Sequence, residues 1–246
     1  MFIYVNGDSY SRHSDGKTYC DFLSEKFNCE SHNAAISGSS NGRILRTSLR
    51  DLIDLKKEHT DIIAIISLSF LLRIEVWDPD APLDQKNTFV NDGDFISIQT
   101  TNSANWFKSK ISDRGPYQKY TTEWLRLYDV EAETINLLKE ILLLTTWCKY
   151  NKINYIIFSG PLQEPVDFEL PAIKPFYQSV TEDPYVIDIF KNSFTEWCIN
   201  RGHSPTDFFT QEIHGKTYNI GHHGEDAHKD FANYLLENYL NKYNKE

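Results

Sequence analysis

A chain of 246 residues, 40% hydrophobic and 24% charged, is long enough to bury a full core, and its composition is that of a globular protein rather than a disordered one. Its formal net charge of -10 argues against nucleic acid and anionic membrane surfaces as partners, since both repel it unless a local basic patch reverses the field. The densest basic stretch, Arg43 to Lys57, is interleaved with Asp51, Asp54 and Glu58 and is expected to be a solvated helix face.

The four cysteines, Cys20, Cys29, Cys148 and Cys198, have no CxxC pairing and are expected to be buried free thiols. The start Met1-Phe2-Ile3-Tyr4-Val5 has no charged leader or cleavage site, and no apolar run reaches the length of a membrane span. The expectation is one domain over 1–246, kept in the cytoplasm or released, alone or as part of a larger particle.

In chain order, Phe2 to Asn6 is a short apolar strand running into Gly7-Asp8-Ser9. Tyr19, Phe22, Leu23 and Phe27 have helical spacing, and a short second strand then leads into the small-residue run Asn33 to Asn41. Ser39, Ser40 and Asn41 are available to cap a helix over about 42–57. Asp61 to Leu68 is a β-branched run expected to be a central strand buried on both faces. Strand, helix, strand, helix, strand is the pattern of an α/β protein with a mainly parallel, doubly wound sheet.

From about 73 to 120 the regular pattern is lost among aromatic and polar residues, which predicts an irregular insertion serving as a lid or binding wall. A helix is expected over 131–150, a fourth strand over 153–158, a Pro-punctuated excursion over 162–184, and a helix over 185–200. Ala227, Phe231, Leu235 and Tyr239 then mark a terminal helix with Glu225 and Asp226 in its first turn and His222 in the loop before it.

Ser9, Gly38 and His222 together suggest acyl transfer. A serine hydroxyl needs a base to take its proton, and histidine titrates in the right range. The resulting oxyanion needs preorganised donors, and the N–H groups of Ser9 and Gly38, each following a strand, are suited to supply them.

Gly7-Asp8-Ser9, the run NAAISGSSN at 33–41 and the stretch GHHGEDAHKDFA resemble, in that order, the first, second and last blocks of the SGNH, or GDSL, hydrolase family. The resemblance implies a three-layer α/β/α sandwich and an esterase cleaving acyl esters, with Ser9 as nucleophile, Gly38 as oxyanion donor and His222 as base. No cofactor and no metal is called for. Two departures stand out. Where the family carries an oxyanion asparagine after the third strand, this chain reads Ser67-Leu68-Ser69, which leaves Ser69 as the candidate donor. Where the family places an aspartate three residues before its histidine, this chain has Asn219, which can orient an imidazole but cannot stabilise its cation as a carboxylate does.

Three outcomes therefore stay open: a weak Ser-His dyad, a carboxylate supplied from elsewhere, or an inactive binding or structural protein on the same fold. An acyltransferase using the same acyl-enzyme is a further alternative. His228 with Glu225 or Asp226 is a second candidate base, disfavoured because a first-turn histidine is expected at the surface or as a cap. The cluster His222, His223 and His228 lacks the spacing of a metal site. Asn41 and Arg73 are candidates for holding substrate, although an ion pair of Arg73 with Glu75 or Asp78 is the plainer account. Aromatic rings among polar residues in the insertion suit a small acyl ester on a carbohydrate better than a long-chain lipid.

Overall fold

The computed structural model describes the chain apart from residues 13–15, 78–88, 93–94, 100–119, 121–122, 164, 208, 214–215 and 242–246, with the backbone alone at 77, 89–92, 95–99, 209–213 and 216–220. Its strands are β1 (Phe2–Asn6), β2 (Glu30–Asn33), β3 (Ile62–Leu68), β4 (Arg73–Trp77), β5 (Phe89–Asp92), β6 (Phe95–Gln99), β7 (Asn154–Ser159), β8 (Phe209–Ile213) and β9 (Lys216–Ile220). The α-helices include α1 (Tyr19–Phe27), α2 (Asn41–Glu58), α3 (Val130–Tyr150), α4 (Lys174–Thr181), α5 (Phe194–Asn200) and α6 (Glu225–Leu235).

Four strands pair in parallel in the order β2-β1-β3-β7. Successive strand residues point to opposite faces, so one apolar run feeds two cores. Phe2, Tyr4, Ala64, Ile66 and Ile157 pack with Leu45 and Leu52 of α2 and Leu138 and Ile141 of α3. Ile3, Val5, Ile63, Ile65 and Phe158 pack with Leu23 of α1, Phe194 of α5 and Phe231 and Leu235 of α6. The result is a three-layer α/β/α sandwich. Beyond β7, Ile157 N–H donates to Tyr185 O and Ile187 N–H to Ile157 O, both at 2.9 Å, so 185–187 runs along the sheet edge as a one-bridge fifth strand.

The helix expected over 185–200 is therefore shorter, and only 194–200 is helical. Its start is fixed by a reciprocal cap, with Ser193 Oγ accepting from Glu196 N–H and the Glu196 carboxylate accepting from Ser193 N–H. The stretch from residue 73 is not wholly irregular either. β4, β5 and β6 form an antiparallel sheet in the order β4-β6-β5, from alternating sequences such as Arg-Ile-Glu-Val-Trp. β8 and β9 add a hairpin that is not among the elements expected above. Arg43, expected on a solvated face, is buried at the start of α2 and donates from Nη1 to Ser39 Oγ at 3.1 Å. The cysteines are free, and burial pushes the Cys20 and Cys148 thiols up to about 12. No described helix is long and apolar enough to cross a membrane.

The strand order makes the carboxyl ends of β1 and β3 a topological switch point, where the connecting turns diverge and leave a crevice. The β1 end is pinned there by Asn6, a fully buried amide. Its Nδ2 donates to Ile44 O (3.1 Å), Thr47 Oγ1 (2.8 Å) and Ser48 Oγ (3.0 Å) of α2, and its Oδ1 accepts from Gly7 N–H (2.8 Å). Asn6→Ala removes this strand-to-helix tie and orphans buried groups, so it is expected to lower stability by about 2–4 kcal/mol in urea unfolding. A loss below about 0.5 kcal/mol contradicts the tie.

Candidate active site

The turn after β1 is a single 3-10 turn, Ser9–Ser11, capped by Asp8, whose Oδ1 accepts from Tyr10 N–H at 3.0 Å. Asp8, Tyr10 and Ser11 are buried, and Ser11 Oγ is taken up by the Tyr19 hydroxyl at 2.6 Å. Ser9 alone of the four is partly exposed.

Parallel pairing continues past the end of β2: Ala34 N–H donates to Val5 O (2.8 Å) and Ile36 N–H to Gly7 O (3.2 Å). That draws the second turn against the first. Ser39 N–H closes the second turn onto Ile36 O (3.1 Å), and Gly38 occupies its third position with φ +88°. A type II turn needs that left-handed value, which a side chain would strain. Among the described residues neither the Ser9 N–H nor the Gly38 N–H donates to any acceptor. Two uncommitted amides on adjoining turns are the donors an oxyanion requires.

Three other candidates are otherwise engaged. Ser69 N–H donates to Asn41 Oδ1 (2.7 Å) and Ser69 Oγ to Asp8 Oδ2 (2.7 Å), so Ser69 has no donor left for an oxyanion. Asn41 is buried and its Nδ2 donates to Ser69 O (3.1 Å), which makes it a brace between α2 and the β3 turn rather than a substrate contact. Arg73 pairs with Asp8 at 2.7 Å, while Glu75 is held by Arg46. The predicted anion-binding role of Arg73 and its predicted partners both give way to that buried pair. Asp78 lies outside the described residues.

His222 reaches this mouth from the far end of the chain, its ring 5.3 Å from that of Tyr10, the neighbour of Ser9. Its Nδ1 meets Asp207 Oδ2 at 2.6 Å, and its backbone N–H donates to Asp207 Oδ1 at 2.5 Å. The orienting place assigned to Asn219 is thus taken by Asp207, and the side chain of Asn219 lies outside the described ones. The β8–β9 hairpin brings the two segments together: Phe209 opposes Ile220, and ahead of β8 Thr206 N–H donates to His222 O at 2.8 Å, which holds Asp207 beside His222. Gly221 permits the approach, because a Cβ there would fall 1.6 Å from Asp207 O. Burial pushes the Asp207 carboxyl up, but the hydrogen bonds from the His222 ring and backbone outweigh it and hold the group below the usual carboxylate range. The signal for Asp207 was present as two alternating runs, Phe209 to Ile213 and Lys216 to Ile220, around His214-Gly215.

No hydrogen bond joins Ser9 Oγ to His222 among the described residues, and such contacts commonly tighten only when substrate is bound. His228, expected at the surface, is buried against Tyr19 and Phe194. No three described His, Cys, Asp or Glu side chains group as a metal site. A cleft of about 700 Å³ between β2 and α2, lined by Arg12, Asn33 and Ile36, opens beside the second turn, but Ser9 and His222 do not line it.

His223, beside His222, is 1% exposed, and neither ring nitrogen has a hydrogen-bond partner among the described residues. Burial first, then the neighbouring His203 and His222, lowers its pKa to about 4. An unfolded histidine titrates near 6.5, so the unfolded state binds the extra proton and stability falls as pH drops from about 6.5 towards 4. The loss attributable to His223 is of order 3 kcal/mol. Urea unfolding across that range should show a shallower acid loss in His223→Leu than in the wild type; parallel curves contradict the assignment.

No protein-family model matches the chain, and no curated protein does. Solved structures to which it is similar include the psychrotrophic esterase EstA from Pseudoalteromonas sp., 15% identical with a TM-score of 0.46 over 99% of each chain. A G-D-S-L family protein from Desulfitobacterium hafniense DCB-2 is 11% identical, with a TM-score of 0.44 over 96% of this chain and 98% of that one. The acetyl xylan esterase AlAXEase is 9% identical, with a TM-score of 0.45 over 96% and 98%. Likeness at this level leaves the chemistry to be read from this chain's own residues.

Proposed function

We propose that the protein is a serine esterase in which Ser9, His222 and Asp207 form the catalytic triad. The supporting observation is the doubly bonded Asp207–His222 pair lying against Tyr10, one residue from Ser9. With Nδ1 bound to Asp207, His222 takes the Ser9 proton at Nε2 as Oγ bonds to the ester carbonyl carbon. The carbonyl π electrons move to oxygen, and the N–H groups of Ser9 and Gly38 receive that charge.

Collapse of the intermediate breaks the bond to the alcohol, which leaves with the proton from His222 Nε2. Water then attacks the acyl-enzyme, gives a proton to the same nitrogen, and releases the acid as Ser9 Oγ is reprotonated. Asp207 supplies the carboxylate missing at position 219, which removes one of the two motives for an inactive protein. A small acyl group carried on a carbohydrate is the proposed substrate class, motivated by the rings and polar residues between Trp77 and Tyr120.

Turnover of p-nitrophenyl acetate tests the reading. Ser9→Ala is expected to abolish it, and Asp207→Asn to lower kcat about 100- to 10,000-fold by favouring the wrong histidine tautomer. Equal rates in wild type and Ser9→Ala contradict the proposal, and an Asp207→Asn enzyme at full rate removes Asp207 from the triad.

A further inference from the structure

The ends of β1, β2 and β3 each give one turn to the site, and one side chain is hydrogen-bonded to all three. Arg73, at the start of β4, donates from Nη1 to Asp8 Oδ2 (2.7 Å), to the Ser39 carbonyl oxygen (3.3 Å) and to Ser69 Oγ (2.6 Å). Ser69 Oγ donates its own proton to the same Asp8 oxygen at 2.7 Å, closing a ring of contacts. The Arg73 side chain is 7% exposed and that of Asp8 0%. The guanidinium carbon lies 4.9 Å from the Phe70 ring centre, a contact that holds the group in place.

Charge neutralisation alone does not explain this arginine. Among the described residues its Nε is buried with no hydrogen-bond partner, a cost that an ammonium on a flexible stem would avoid. What the guanidinium adds is reach and a rigid plane: its Nη1 lies one bond beyond where a lysine nitrogen would end, and its two hydrogens are shared among three acceptors. Two of those acceptors are the immediate neighbours of the uncommitted amides: Asp8 precedes Ser9, and Ser39 follows Gly38.

We propose that Arg73 is a positioning residue of the oxyanion site. By holding Asp8, Ser39 and Ser69 to one nitrogen, it sets the distance between the Ser9 and Gly38 N–H groups. The inference rests on the reading of Ser9 as a nucleophile. Through Nη1 Arg73 acts on the three turns and not on the reacting atoms themselves. Instead it takes over, indirectly, the work of the asparagine missing after β3: the site has two donors rather than three, and their spacing is fixed from behind. Donors that bind only developing charge affect kcat far more than KM, so loosening the clamp slows the chemical step with little effect on binding.

The test compares Arg73→Lys with the double variant Asp8→Asn/Arg73→Met. The double variant leaves no unpaired buried charge, and the amide oxygen introduced at position 8 can still cap Tyr10 N–H. Both are expected to melt cooperatively, to keep KM for p-nitrophenyl acetate within about threefold, and to lose at least about 30-fold in kcat. The rate of Ser9 labelling by a fluorophosphonate should fall in parallel. Lysine keeps the charge, but its nitrogen ends one bond short of Nη1 and lacks the plane held against Phe70, so it should recover little of the rate. A folded double variant with kcat within about threefold of wild type, or a loss carried by KM, overturns the inference while leaving the esterase reading intact. Should the double variant not fold, Arg73→Lys decides by the same criteria. Absence of Ser9-dependent turnover in the wild type overturns both, and is seen before any Arg73 variant is made.

Discussion

An aspartate with no exposed surface stands one residue before Ser9, and the rest of the site is arranged around neutralising it. Burying a carboxylate is tolerable only if it is paired and hydrogen-bonded, and Asp8 meets both conditions through Arg73, Ser69 and the Tyr10 amide. Removing one partner of such a pair typically costs about 3–5 kcal/mol, whereas the intact pair adds little net stability over an apolar equivalent. What the pair gives is a fixed arrangement. It ties the turn after β1 to the turns after β2 and β3, which a parallel sheet already brings to one edge.

The other half of the site comes from the opposite end of the sequence. α6 packs Phe231 and Leu235 into the layer that also holds Leu23 of α1 and Ile3 and Val5 of β1. That packing sets His222, just ahead of α6, beside the β1 turn. The β8–β9 hairpin, with the bond from Thr206 N–H to His222 O (2.8 Å), then holds Asp207 beside it. The carboxylate lies fifteen positions before its histidine instead of three, yet the backbone delivers the same ring nitrogen to the same kind of acceptor. The pairing at the mouth of the sheet is reached by a different local route, and it is the site rather than the fold that decides the chemistry.

The sheet and its helices were legible because apolar runs and 3.6-residue stripes report burial directly. Phe2 to Asn6, Ile62 to Leu68 and the stripe through Leu138 and Ile141 are core because nothing else suits them. Ser9, Gly38 and His222 drew notice for a different reason, since each sits where a strand or helix begins or ends, and the structure puts their turns at one edge of the sheet. Residues whose role depends on a partner distant in sequence were not legible. Arg73 read as a surface ion pair because its partner is 65 positions away, and Ser69 read as a donor because nothing local reveals that Asp8 and Asn41 occupy it. Asp207 was missed because its hairpin was missed, and residues 185–187 read as helix because a single-bridge edge strand leaves almost no period in the sequence.

In the proposed reaction a serine oxygen, two amides and an imidazole address the same carbon. A crystal structure of the protein inactivated by a fluorophosphonate places phosphorus at that carbon's position. The expected adduct has phosphorus bonded to Ser9 Oγ, a phosphoryl oxygen within about 2.7–3.1 Å of the Ser9 and Gly38 nitrogens, and His222 Nε2 facing the leaving-group side. An adduct on another residue, or one whose phosphoryl oxygen turns away from both amides, contradicts it.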